Sequence, residues 1–187
     1  MLDRKRQLPI IHNTETRKLG GIFTLERLDL EFANGEQRRY ERMQSSGLGA
    51  VLIVPMLDDD TVLLIREYAC GVHNYEITLP KGRLEPGEET LEAANRELKE
   101  EVGYGARRLD PLAELTLAPG YMSHRTHIVL ARDLYEERLE GDEPEEIEVI
   151  PWPMDRIGEL IGRSDCTEGR TLAALFMARE KMARGEI

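Results

Sequence analysis

Residues 82–104 read GRLEPGEETLEAANRELKEEVGY, a turn followed by a helix that carries three carboxylates on one side. With this stretch helical, Glu97 stands three and four positions before Glu100 and Glu101, and side chains at those spacings share a face. Like charges so placed destabilise a helix by roughly 0.2–0.5 kcal/mol per pair unless something positive sits between them. Hard oxygen ligands with room for water suit Mg²⁺ or Mn²⁺. A solvated acidic face is the alternative, and it suffices for Glu92 and Lys99. The flanking residues argue for more at the other acids. Gly82 and Gly87 offer backbone freedom on either side of Pro86, and Glu88, Glu89 and Thr90 suit a helix start. Leu91, Ala94, Leu98 and Val102 form an apolar stripe, which sets the Glu97, Glu100 and Glu101 edge beside the core boundary, and Gly103 stops the helix.

The spacing is Gly82, five residues, Glu88, seven residues, Arg96-Glu97-Leu98, one residue, Glu100-Glu101, one residue, Gly103 and a bulky residue. It resembles the signature box of the Nudix hydrolases, with Tyr104 standing where an aliphatic residue is usual. The resemblance implies an α/β fold, a mixed β-sheet sandwiched between helices. It also implies hydrolysis of a nucleoside diphosphate linked to another moiety, by attack of a metal-activated water on phosphorus. Two or three divalent ions, Mg²⁺ or Mn²⁺, would neutralise a pyrophosphate that acidic side chains otherwise repel.

The chain has 187 residues, which suits one domain with a small appendage, and its 36 acids against 25 bases give a net charge of −11. That balance disfavours nucleic acid as a partner and leaves room for a small anionic ligand. Cys70 and Cys166 form no CxxC pattern and read as reduced thiols of a cytoplasmic protein. The start, MLDRKRQLPIIHN, lacks an apolar stretch suited to a signal peptide, and nowhere is there a run of about 18 apolar residues that would enter a membrane.

Alternation over 21–32 (Ile22, Thr24, Leu28, Leu30, Phe32), a turn at Asn34-Gly35 and a second strand over 37–43 predict an N-terminal antiparallel hairpin. Residues 1–45 are therefore taken as a hairpin segment and 46–187 as the catalytic domain. Strand 50–56 is expected to pair with 61–66 through the turn Asp58-Asp59-Asp60. Further strands are expected at 75–79, 112–118, 126–131 and 147–152, a short helix at 155–161 and a longer one at 167–183.

Outside the box, Pro119 in Leu117-Ala118-Pro119-Gly120 lies close to the marker proline of the ADP-ribose pyrophosphatase group of the superfamily. The phrases LDLEFANG (28–35), YERM (40–43), LIREYACG (64–71) and LEGDEPE (139–145) resemble the bacterial ADP compounds hydrolases of that group. The resemblance implies substrates in which ADP is joined to something else: ADP-ribose, NADH or dinucleoside polyphosphates, with AMP as one product. It places Arg42 and Arg66 as substrate-contacting arginines, suited to bidentate phosphate contact, and sets Arg83 and Ala118 beside the cleft. It makes Glu97, Glu100, Glu101 and the Lys81 carbonyl metal ligands. Glu143 is implied as general base and Glu145 as a further ligand on an acidic loop, with Glu97 or Glu101 as alternative bases. Arg96 is expected to orient Glu97 through a charge-assisted bond, together with Glu88. His124 stands where that group often has a glutamate, so the role of that acid does not transfer.

By the same resemblance the N-terminal segment crosses to a second subunit, predicting a homodimer with Arg42 reaching the neighbour's site. The rival readings are a nucleoside triphosphate pyrophosphatase, which would release pyrophosphate, and a non-catalytic nucleotide-sensing module, which should have lost box carboxylates. RNA-end processing is disfavoured by the acidic charge and the lack of a basic stripe interleaved with aromatics.

Overall fold

The structure is a computed structural model that describes residues 6–20, 23–44 and 48–187. Ile22, the first five residues of the basic start and the expected boundary at 45/46 lie outside the described residues. The chain divides into two compact units, Met1–Gly47 with Thr116–His124, and Leu48–Leu115 with Arg125–Ile187.

The first unit is a three-stranded antiparallel sheet in the order β1-β2-β3: β1 Ile10–Gly20, β2 Phe23–Glu31 and β3 Gln37–Gln44. The expected hairpin is β2 and β3. Its turn has Gly35 at φ +82°, and Gly35 N–H donates to the Phe32 carbonyl at 2.8 Å. Sequence reasoning missed β1, whose IIHNTETRKLG is exposed along its whole length and shows no alternation of buried positions. The strand is held by pairing with β2 and by exposed polar contacts such as His12 with Glu31. Residues 116–124 join the unit through Met43 N–H to the Tyr121 carbonyl (2.8 Å) and Ser123 N–H to the Met43 carbonyl (3.1 Å).

The second unit holds β4 Ala50–Pro55, β5 Thr61–Ala69, β6 Asn74–Thr78, β7 Lys81–Arg83, α1 Thr90–Glu101, β8 Tyr104–Thr116, β9 Arg125–Glu136 and β10 Glu148–Pro153. A 3₁₀ turn at Met154–Leu160 and α2, Gly169–Ala183, complete it. Two sheets form, β10-β5-β6 and β7-β4-β9-β8; β4 runs parallel to β9 and antiparallel to β7. The expected pairing of 50–56 with 61–66 is therefore corrected. β4 and β5 belong to different sheets and share only a single bridge, Met56 with Val62, at the corner. β4 and residues 62–65 of β5 are continuous apolar runs buried on two faces, so no alternation indicated which neighbour each would take. The tripeptide Asp58-Asp59-Asp60 turns the chain from one sheet to the other, with Asp60 N–H on the Asp58 carboxylate at 2.9 Å.

The two faces of these strands explain the sandwich. Val51, Ile53, Leu63, Ile65 and Val129 pack with Ala93, Ala94, Leu98 and Val102 of the α1 region. Leu52, Val54, Leu64, Ile128 and Leu130 pack instead with Ile157, Leu160, Ala174 and Leu175 of the 3₁₀ turn and α2. α1 is thus fixed by its apolar stripe and capped by a reciprocal pair in which Glu89 and Glu92 each accept from the other's backbone N–H. Gly103, at φ +83°, ends it with its N–H on the Leu98 carbonyl at 3.2 Å.

Candidate active site

The box loop, expected as a turn, contains the short strand β7. Ile53 N–H donates to the Pro80 carbonyl at 2.9 Å and Leu84 N–H to the Gly49 carbonyl at 3.3 Å, which fixes the phase of the β4–β7 ladder. Lys81 sits at the alternate position, so both its backbone groups turn away from β4. Its N–H donates to Glu101 Oε2 at 2.8 Å. Gly82 serves closeness here rather than backbone freedom. A Cβ on it would lie 1.9 Å from Glu97 Cδ, so the Glu97 carboxylate occupies the space that any side chain would fill.

Arg96 gathers the acids on the near side of α1. Its guanidinium donates to Glu88 (2.9 and 3.1 Å), Glu97 (2.8 Å), Glu100 (2.9 Å) and the Arg83 carbonyl (3.1 Å). The expected Arg96 bonds to Glu97 and Glu88 are both present. Arg96 holds the Glu88 carboxyl below its usual range, whereas burial pushes Glu97 up against the same cation.

The three box carboxylates do not meet at one point. Glu97 and Glu100 close on Arg96, while Glu101 turns toward Glu67 of β5 and Glu143 of the acidic loop, and oxygens of these three lie within 4.8 Å of one another. Glu101 is buried, and that desolvation pushes its pKa up to about 8, opposed by the Lys81 charge and the Lys81 N–H and reinforced by Glu67 and Glu97. Glu143 is also pushed up, first by desolvation and then by Glu67 and Asp142. Carboxylates crowded like this ionise together only beside a cation, and three hard oxygen donors at this separation fit a divalent ion of the Mg²⁺ or Mn²⁺ kind.

Glu67 was not anticipated. The acid follows the apolar run 62–65 and reads as that strand's solvent end. The signal lay in the pleat: Leu63 and Ile65 face α1, so Glu67, two residues further, points to the same side, toward Glu101.

Glu67 aside, the acids Glu97, Glu100, Glu101 and Glu143 line a cleft of about 660 Å³ walled by β7, α1 and the loop 138–147. Arg83 and Glu145 line it as well. Glu145 lies outside the acidic trio, and its carboxylate accepts from the Tyr75 hydroxyl at 2.6 Å. Arg66 lines a neighbouring cleft of about 250 Å³ and is held by Glu148 (2.9 Å) and Asp165 (3.1 Å). Arg42 and Ala118 belong to the first unit. There Arg42 pairs with the buried Glu26 at 2.6 Å, and the Ala118 carbonyl accepts from Tyr121 and Met122 in the Pro119-Gly120 turn.

A NUDIX domain family model matches residues 48–161. The chain belongs to the Nudix hydrolase family. A second model, the NudE-type Nudix hydrolase N-terminal domain, matches residues 9–42, the sheet of the first unit. The ADP compounds hydrolase NudE of Escherichia coli (strain K12) is 49% identical over 96% of this chain and 96% of that protein. The ADP-ribose pyrophosphatase of Bacillus subtilis (strain 168) is 30% identical over 88% of this chain and 89% of its own length. A crystal structure of an ADP compounds hydrolase superposes with a TM-score of 0.89 at 47% identity, covering 99% of this chain and all of that one. This Nudix chain is therefore a pyrophosphatase-type hydrolase, and the box resemblance drawn from residues 82–104 holds. Among the described residues no helix is long and apolar enough to cross a membrane.

Proposed function

We propose that this Nudix hydrolase cleaves the pyrophosphate linkage of ADP-X compounds, among them ADP-ribose, NADH and dinucleoside polyphosphates, to AMP and a phosphorylated product. The observation that carries the reading is the gathering of Glu67, Glu101 and Glu143, with Glu101 and Glu143 lining the same cleft as Glu97 and Glu100. The extensive similarity to an ADP compounds hydrolase supports the substrate class.

Mg²⁺ or Mn²⁺, two or three ions, would be held by Glu67, Glu97, Glu100, Glu101 and the outward-turned Lys81 carbonyl, with Glu145 joining on leaving Tyr75. Bound there, the ions would offset the diphosphate charge and acidify water. Arg96 keeps Glu97 and Glu100 oriented. Glu143, on the acidic loop facing Glu67 and Glu101, takes the proton of the attacking water. Arg66, Arg83, Arg42 and Ala118 are the proposed substrate contacts, the arginines on phosphate or ribose oxygens.

We further propose a homodimer formed through the N-terminal sheet. Ile11 and Tyr40, each about half exposed, stand opposite Leu30 and Leu28 on one face of it, an apolar strip that a second copy would cover. Two free cysteines, exposed Cys70 and buried Cys166, fit a cytoplasmic setting. The test is product analysis on ADP-ribose, NADH, a dinucleoside polyphosphate and nucleoside triphosphates with Mg²⁺. AMP with ribose 5-phosphate or a second mononucleotide supports the proposal, while pyrophosphate released from triphosphates as the main activity refutes it. Sedimentation as a monomer would refute the dimer.

A further inference from the structure

Lys81 enters the acidic site twice. Its backbone N–H holds Glu101, and its side-chain ammonium ion-pairs with Glu67 and also reaches Thr78 Oγ1 at 3.1 Å. Glu67 and Glu101 come from different elements, β5 and α1, so one residue ties together two acids that would otherwise repel each other. The ammonium stem is mostly buried, with 21% of its side chain exposed. A cation held there already does part of what a divalent ion does for the trio.

Resting on the metal-site reading above, we propose that the Lys81 side chain is a built-in counter-cation: it holds Glu67 in place while no metal is bound and must leave the carboxylate for a divalent ion to enter. An ammonium and a dication cannot share one carboxylate oxygen without strong mutual repulsion, so entry of one expels the other. The cleft beside β7 gives the flexible four-carbon stem room to swing, and lysine is better suited to such exchange than the rigid fork of arginine. Metal affinity is thereby set below what the bare carboxylates would give, and the metal-free chain is spared an unpaired buried charge.

Lys81→Met keeps the stem and removes the charge. Mn²⁺ titrated alone into the full chain, followed by electron paramagnetic resonance, should bind this variant at least about fivefold more tightly than the parent, the effect of one unit charge at ion-pair distance in a hydrated cleft. Without metal the variant should melt below the parent, and Mn²⁺ should raise its melting temperature by more. Equal or weaker Mn²⁺ binding in Lys81→Met overturns the proposal while leaving the metal site standing. A parent that takes up no Mn²⁺ removes both. If the variant fails to fold, acylation of Lys81 in the parent by an N-hydroxysuccinimide ester, read by mass spectrometry, decides the matter. Mg²⁺ should speed labelling of Lys81 several-fold by freeing its ammonium, and labelling that is unchanged or slowed by Mg²⁺ would overturn the idea.

Discussion

Replacing Gly82 by alanine isolates the role of closeness in this site. The Gly82 backbone is outside the left-handed region, so alanine meets no conformational penalty there. Its new Cβ, however, would stand 1.9 Å from Glu97 Cδ and 2.0 and 2.2 Å from the two carboxylate oxygens. Comfortable contact begins near 3.5 Å, so the carboxylate must retreat by about 1.5 Å. Glu97 is the far end of a flexible side chain and can rotate away without disturbing α1. Overpacking and the strained rotamer should cost about 1–3 kcal/mol, which leaves a folded protein. The displaced carboxylate gives up its 2.8 Å bond to Arg96 and its place beside the cleft. Turnover of ADP-ribose with Mg²⁺ should then fall at least about 10- to 100-fold, the usual scale for disturbing groups that orient or form a metal site. Steady-state kinetics at saturating Mg²⁺, with a melting curve to establish folding, measures both. A folded Gly82→Ala variant turning over within about twofold of the parent would refute the assignment of Glu97.

The metal-free chain should show an inverted pH response. Glu101 is held at about 8 against an ordinary 4.5, so its stabilising contribution is complete below about 4.5 and is lost as pH rises through 8. Melting temperature in chelator should therefore fall between pH 5 and 8, and Glu101→Gln should flatten that decline. Arg96→Lys cannot reproduce the fork that reaches Glu88, Glu97, Glu100 and the Arg83 carbonyl at once; it should cost about 1.5–3 kcal/mol of stability by chemical denaturation and lower kcat. Tyr75→Phe removes the hydroxyl that holds Glu145, and through it the loop carrying Glu143. Since Glu145 must leave that hydroxyl to reach a metal, the variant should lower the half-saturating Mg²⁺ concentration by a few-fold with the fold intact, and an unchanged or higher value would count against Glu145 as a ligand.

Residues 82–104 were legible because helical spacing ties Glu97, Glu100 and Glu101 to the apolar stripe of Leu91, Ala94, Leu98 and Val102, and local periodicity needs no knowledge of partners. Arg96 was legible through the family resemblance of the box, whereas its i,i+4 contact to Glu100 was not foreseen. The pairing of β4 and β5 was not, because a strand buried on both faces carries no mark of which sheet it joins. β1 escaped for the opposite reason, being exposed throughout. Glu67 was hidden because its role depends on a contact across sequence, from β5 to α1, that only the fold makes; the pleat from Leu63 and Ile65 held the clue. The role of Gly82 was misread as freedom, since space occupied by a distant carboxylate leaves no local trace.

The proposed activity requires acids that hold divalent cations against a nucleotide diphosphate. Its most direct test is Glu101→Gln, an uncharged near-isostere at the buried member of the trio, assayed on ADP-ribose with Mg²⁺ and with products resolved. The parent should yield AMP and ribose 5-phosphate, stop in chelator and recover with added Mg²⁺, and the variant should lose at least about 10- to 100-fold in kcat/KM while remaining folded. Turnover in a folded Glu101→Gln variant within about twofold of the parent, or hydrolysis that continues unchanged in chelator, would contradict it.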